Sequence, residues 1–455
     1  MRQNKEIKLV PWGAIALFLL LTVVLCWGLF PGFNAENFSW DARFTYSRNI
    51  EESFVTTWHS ELFIYECILL RFLLFLLTGT EVSGIGVLCC AWWCGFSLLM
   101  LALSFVIWKL VHLNYVYALI TIPFSFAVKW TIEDTPCGLD FFFLVALSVL
   151  LVLILVEHGM IGKIGRVLMM VAILFVLWHV CAYRKNAVVI VPFVLAPYCW
   201  RLGCCRAWLW KLSLPFLATI MFMVITVPFV STILPVVRLH PVIPMMESDE
   251  RISCILRGDY DTYPRVFRNH DEAAKQTIAA SAGGHLIRGT YSQMYKGYVR
   301  LWMDQPYSMA VARLVQIVQF YNGGHTPVMV RSWVHSHFPA VVKSPETWKT
   351  FEFSVVDKTW ACGRGCILLL GLFFASYKLF KWRKMRAAEK YGVFCISAAL
   401  LYAFSFVICT PTPDARYLSA SVMVVFMVLS VFAVRFISHK MGMGAFSEEN
   451  QPMDT

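Results

Sequence analysis

Two sets of acidic residues flank long apolar runs in this sequence. Asp41 lies in Ser39-Trp40-Asp41-Ala42-Arg43, and Glu133-Asp134 in Trp130-Thr131-Ile132-Glu133-Asp134-Thr135-Pro136. Acids beside apolar segments are costly and mark either a partner or a task. A pair of carboxylates could take a proton from an acceptor hydroxyl, and could hold a divalent metal or orient the acceptor. The plainer alternative is that both acids solvate loop ends. His59, in Thr57-Trp58-His59-Ser60-Glu61-Leu62, could bind a carboxylate, a metal or a phosphate, or serve as a helix cap and interface anchor.

Two basic motifs accompany the acids. Arg184-Lys185-Asn186 follows an apolar run and suits a lipid phosphate; its alternative is a break between two spans. Pro411-Thr412-Pro413-Asp414-Ala415-Arg416-Tyr417 is a tight turn fixed by two prolines. Arg416 there suits bidentate contact with phosphate, with Asp414 or Asp41 as the structural partner otherwise, and Tyr417 stands beside it. Arg257-Gly258-Asp259-Tyr260, Arg265 and Arg268 could line an acceptor groove or form a solvated loop surface. The sequence has no P-loop, dinucleotide fingerprint or HExxH, so nucleotide-driven or nicotinamide chemistry is not expected.

The elements that must position these residues are read from composition. Of 455 residues, 59% are hydrophobic and 15% charged, and the mean hydropathy is +0.65. A soluble domain averages about 45–50% apolar and about 25% charged. The pattern predicts an all-α polytopic membrane protein. It has about ten transmembrane helices, near 12–30, 83–107, 114–131, 138–157, 167–183, 186–200, 212–235, 363–381, 391–410 and 416–437. The first is read as a retained signal anchor rather than a cleaved leader. Most cysteines, such as Cys89, Cys181 and Cys395, fall inside apolar runs and act as small hydrophobes.

The net charge is +11, and the basic residues form short clusters between apolar runs. With the N-terminus cytoplasmic and ten spans, the clusters Arg2/Lys5/Lys8, Lys109/His112, Lys163/Arg166, Arg201/Arg206/Lys211, Lys381–Lys390 and Arg435/His439/Lys440 all fall inside. Such clusters suit anionic membrane lipids better than nucleic acid, which is not an expected partner. The run Leu62–Leu77 carries Glu66 and Arg71 and follows Glu61. Counting it as a span would invert every later loop, so it reads as an amphipathic helix in the outer interface.

The organisation is then a transmembrane module at 1–235, with outer loops at 31–82 and 131–138, and a mainly helical extracytoplasmic segment at 236–361. C-terminal transmembrane helices follow at 362–440, and a cytoplasmic tail at 441–455. Within the large loop, helical patterning covers 271–281 and 291–319. Gly283-Gly284 and Gly323-Gly324 act as stops.

Taken in order, these motifs resemble the GT-C superfamily of polyprenyl-phosphate-sugar-dependent membrane glycosyltransferases, and within it a bacterial branch distantly similar to protein mannosyltransferases and aminoarabinose transferases. The matching residues are Trp40-Asp41, Trp58-His59-Ser60-Glu61-Leu62, Trp130 with Glu133-Asp134-Thr135-Pro136, Arg184-Lys185-Asn186, Pro411 to Tyr417, and Tyr295 to Tyr321 with Leu301-Trp302 and Gln305-Pro306. The resemblance implies a multi-pass cell-membrane enzyme working on its extracytoplasmic face. Asp41 would be the catalytic base or acceptor-positioning acid and Asp134, with Glu133, the second acid. His59, Arg184, Lys185, Arg416 and Tyr417 would bind substrate. The donor would be a polyprenyl-phosphate sugar and the acceptor an envelope glycan, lipid or protein, with a divalent metal as the one cofactor in question. Two departures stand out: Ser60-Glu61 replaces a proline pair, and Glu133 stands where a lysine is common. A glycan polymerase or ligase on the same scaffold, a transporter or flippase, and a non-enzymatic envelope protein are the alternatives.

Overall fold

The computed structural model describes residues 10–26, 47–53, 61–91, 115–122, 163–183, 189–201, 217–221, 299–300, 302–321, 328–339, 361–385, 387–409 and 418–440, with single positions at 94, 104, 107, 108, 111, 249 and 253. Among the described residues every regular element is helical and no strand occurs. The helices are α1 (Val10–Cys26), α2 (Ser47–Glu51), α3 (Glu61–Thr78), α4 (Lys163–Tyr183), α5 (Val191–Arg201), α6 (Pro306–Tyr321), α7 (Val328–His337), α8 (Ala361–Phe380), α9 (Ala387–Cys409) and α10 (Ser419–Lys440). A further helical stretch covers 84–91, and 3-10 turns cover Tyr115–Ile120 and Trp382–Lys384.

Local chemistry sets several boundaries. Pro306 opens α6, where its missing N–H costs nothing, and Gln305 before it accepts the Met309 N–H at 3.1 Å. α6 stops at Tyr321, ahead of Asn322-Gly323-Gly324. α3 ends at Gly79, whose φ of 68° suits a residue without a side chain, and whose N–H returns to the Phe75 carbonyl at 2.8 Å.

One large apolar core runs through α4, α5, α8, α9 and α10, and takes in Ala14 and Phe18 of α1. Its centre is the three-helix packing of α8, α9 and α10. A Cβ at Gly371 would press on Val425 and lie 3.4 Å from Ile396, and one at Gly392 would lie 2.5 Å from the Phe432 ring. Phe374 and Phe432 pack beside them with tilted rings, their centroids 5.1 Å apart. A second, smaller core joins Ile50 of α2, Phe63, Ile64 and Cys67 of α3, and Val87, Leu88 and Cys89 of the 84–91 helix. Within it Gly84 sits against the Ser47 backbone, and a Cβ there would lie 2.9 Å from the Ser47 Cα and nearer still to its carbonyl.

Much of the outer surface is apolar. The stripe Ile164, Val167, Leu168, Val171 and Phe175 is exposed along α4, and Leu69, Phe72, Leu76 and Leu77 along α3. Among the described residues, one helix is long and apolar enough to cross a membrane, over Ala420–Ile437, and about half of it is buried inside the protein. Three expected elements differ from the sequence reading. The run expected to span at 186–200 gives α5, an eleven-residue helix that rises only about 16 Å at 1.5 Å per residue. The start of the run at 114–131 winds as a 3-10 turn. α3 is one continuous helix whose exposed face is apolar rather than polar.

Glycine substitutions separate these contacts. Gly84→Ala is expected to lower the melting temperature by several degrees, because the Ser47 backbone cannot yield. Gly13→Ala, in α1 with nothing within 4 Å, should be neutral or stabilising by up to about 1 kcal/mol. Thermal unfolding of the two variants in one detergent checks the contrast.

Candidate functional site

The 61–91 segment is clamped by partly buried polar contacts. The Arg71 guanidinium donates from Nη1 to the carbonyls of Ile50 at 3.3 Å and Glu51 at 3.1 Å, and from Nε to the Val82 carbonyl at 3.1 Å. Those carbonyls lie at the end of α2 and ahead of the 84–91 helix, where helix geometry supplies them no partner. The Glu51 carboxylate in turn accepts the Gly84 N–H at 2.7 Å, capping the 84–91 helix with a negative charge at its positive end. One arginine and one glutamate thus fix α3 against its neighbours.

Held in this way, α3 presents Glu66 to α4. His179 Nε2 lies 3.1 Å from Glu66 Oε1, with the imidazole side chain 10% exposed and the carboxylate 37% exposed. His179 Nδ1 lies 3.0 Å from the Phe175 carbonyl. A carbonyl can only accept, so Nδ1 carries a hydrogen. The contact to Glu66 then needs a proton between Nε2 and Oε1, making the pair imidazolium and carboxylate, or imidazole and carboxylic acid. Phe175 and Trp178 flank the ring at centroid distances of 4.3 and 4.6 Å, which fixes its plane. An acid and an imidazole sharing one proton, half in reach of solvent, form a proton-holding pair.

A second polar centre lies where α6 docks on α8. Arg313 of α6 donates from Nη1 to Asp249 Oδ1 at 3.2 Å and to Gln316 Oε1 at 2.7 Å. Asp249 is fully buried, so its charge depends on that guanidinium. The Tyr321 carbonyl would lie 2.9 Å from a Cβ at Gly365, and burial pushes the Tyr321 phenol up from its ordinary pKa. Gln319 is buried near the end of α6, and Arg364 is buried one residue before Gly365.

The residues singled out in the sequence, Asp41, His59, Glu133, Asp134, Arg184, Lys185, Arg416 and Tyr417, lie outside the described residues, as do Arg257, Asp259, Arg265 and Arg268. Along the chain, His59 comes two residues before α3, and Arg184-Lys185 follow the last residue of α4. The Glu66–His179 contact therefore joins the two helices to which those motifs are attached. Arg416-Tyr417 directly precede Leu418, which is fully buried at the head of α10. Among the described residues, no three His, Cys, Asp or Glu side chains converge as metal ligands.

The sequence reading used Glu66 only as a reason against insertion and did not single out His179. The available signal was one titratable residue in each of two apolar runs, groups that need each other once both are buried. No family model matches the sequence, and no curated protein or solved structure matches it either.

A double-mutant cycle on Glu66→Ala and His179→Ala tests the pairing. The coupling between them should be on the order of 1 kcal/mol of stability, reduced by the partial exposure of Glu66. Additive losses in denaturant unfolding would mean that the contact does not hold α3 to α4.

Proposed function

We propose that the chain is a polytopic membrane glycosyltransferase of GT-C type, which moves one sugar from a polyprenyl-phosphate donor to a hydroxyl of a cell-envelope acceptor on the outer face. The observation that carries this reading is the chain order of the motifs. Trp40-Asp41, Trp58-His59, Glu133-Asp134, Arg184-Lys185-Asn186 and Pro411 to Tyr417 all fall on one side of the membrane in the ten-span reading of the sequence, which places the positive clusters inside and counts 186–200, with its short helix α5, as a crossing. The helical architecture supports it, as do the apolar stripes exposed along α3 and α4, which hydrocarbon would cover. A soluble monomer rarely exposes such continuous apolar surface.

In the mechanism this implies, the prenyl tail lies among the helices. Arg184 and Arg416 neutralise the phosphate as it leaves, since negative charge develops there. The Asp41 carboxylate takes the proton of the acceptor hydroxyl. The acceptor oxygen attacks the anomeric carbon, the bond from that carbon to the phosphate oxygen breaks, and polyprenyl phosphate departs with the electron pair. Direct displacement inverts the anomeric centre. Asp134 and Glu133 orient the acceptor, while His59, Lys185 and Tyr417 complete substrate binding. Asp41 and Asp134 are also the carboxylates suited to hold a divalent metal. Glu66 and His179 contribute by positioning, because they keep α3 and α4 together.

Radiolabelled sugar transfer by the purified chain in lipid, from a panel of polyprenyl-phosphate sugars to an envelope extract, tests the proposal. Transfer by the wild type is expected, with Asp41→Asn slowing it by about 10²-fold or more, the usual worth of a general base. Full transfer by Asp41→Asn removes that residue from the mechanism. No transfer from any donor in the panel removes the enzyme reading.

A further inference from the structure

At one end of the α8–α9–α10 core the exposed surface changes from apolar to basic within a single turn. On α8, Leu379 and Phe380 are exposed, Phe380 at 92%, and Lys381 follows at once. On α10, Phe436 is 63% exposed, Ile437 is also exposed, and Lys440 follows three residues later. The two changes occur at one level. From the contacting pair Phe374 and Phe432, Phe380 is six residues on and Lys440 eight, rises of about 9 and about 12 Å. Two helices that switch from apolar to cationic at a shared height mark the border between hydrocarbon and headgroups.

The basic residues there are held in place. Backbone hydrogen bonds close the turn at Lys381→Lys378, Lys384→Lys381 and Met385→Trp382, between 2.9 and 3.2 Å, and Met385 is buried beneath it. Trp382 packs edge-on against Phe394 of α9 at 5.5 Å, and Lys390 sits 5.5 Å over the Trp382 ring. The Lys381 ammonium contacts the Tyr377 hydroxyl and lies 4.4 Å over its ring. Arg383 and Lys384 are exposed on the turn. The described acid at this end, Glu389, is engaged by Lys378 at 2.7 Å, a lysine that also lies over Phe374 and Phe432. Among the described residues, no ion pair engages Lys381, Arg383, Lys384, Lys390 or Lys440.

We infer that this end of the bundle, built from Lys381, Arg383, Lys384, Lys390 and Lys440, is a binding site for the phosphate headgroup of an anionic phospholipid whose acyl chains run along Phe380 and Phe436. The apolar residues beside the cations select a lipid, since a soluble anion would gain nothing from them. The inference rests on the membrane reading of the chain and is independent of the transferase reading.

The test uses the full chain in nanodiscs of phosphatidylcholine, with and without phosphatidylglycerol. Phosphatidylglycerol should raise the melting temperature of the wild type by several degrees, and added salt should shrink that gain. The triple variant Lys381→Gln, Arg383→Gln, Lys384→Gln should melt like the wild type in phosphatidylcholine. It should lose most of the gain, with its preference for phosphatidylglycerol falling roughly tenfold or more. Lys440→Gln, on the neighbouring helix, should remove a smaller part. Equal gains in wild type and both variants overturn the site, and so does reproduction of the gain by inorganic phosphate in phosphatidylcholine discs. A chain that carbonate strips from vesicles overturns the membrane reading and the site together. A retained chain without phosphatidylglycerol preference overturns the site alone.

Discussion

The close approach of α8, α9 and α10 is the constraint on which the rest of the described structure depends. Gly371 faces Val425 and Ile396, and Gly392 faces Phe432 and Val428. The partner side chains occupy the space a β-carbon would take. Small residues at a helix contact let the backbones come near enough for dispersion to act over the whole seam. Because the seam fixes the height of each helix relative to the others, it also fixes what stands at the two ends. At one end Lys378 reaches Glu389 across α8 and α9. At the other, α6 comes to rest with Tyr321 over Gly365.

Away from that seam, order comes from polar groups that an apolar setting forces into partnership. Arg71 gathers carbonyls from the end of α2 and from Val82, Glu51 caps the 84–91 helix, and Glu66 shares a proton with His179. None of these is a strong contact by itself, but leaving any one unmade among hydrocarbon-like surroundings costs far more than the contact gains. Charges that look out of place in an apolar run therefore act as fasteners, and each sits where two helices must not slide.

This explains what could be read from the sequence and what could not. The positions of α1, α4, α8, α9 and α10 follow from long apolar runs, since burying a continuous apolar surface needs a helix of that length. The opening of α6 is visible in Pro306, and its end in Gly323-Gly324. The shortness of α5 is not legible, because Pro192 and Pro197 are compatible with either a full or a half-length helix in an apolar setting. The 3-10 winding at Tyr115–Ile120 has no sequence signal of its own, and its residues Val116, Tyr117 and Ile120 are buried in the main core. The Glu66–His179 pair was invisible for a simpler reason: its members are 113 residues apart, and one sequence carries no record of which distant residues meet. The motifs that suggested chemistry can be read only as order and type along the chain, because the geometry that would judge them depends on segments outside the described residues.

The composition of the main core has a further consequence for how the chain comes together. Ala14 and Phe18 of α1 belong to the same buried core as side chains of α9 and α10, which lie far along the sequence. The smaller core is built mainly from α2, α3 and the 84–91 helix, near neighbours in sequence, with Trp178 of α4 packed against it. α1 meets the Tyr115–Ile120 turn, which itself packs on α10, so α1 joins the large core through an intermediary. The large core is thus complete only when α9 and α10 join segments from much earlier in the sequence, whereas most of the smaller core closes over near neighbours.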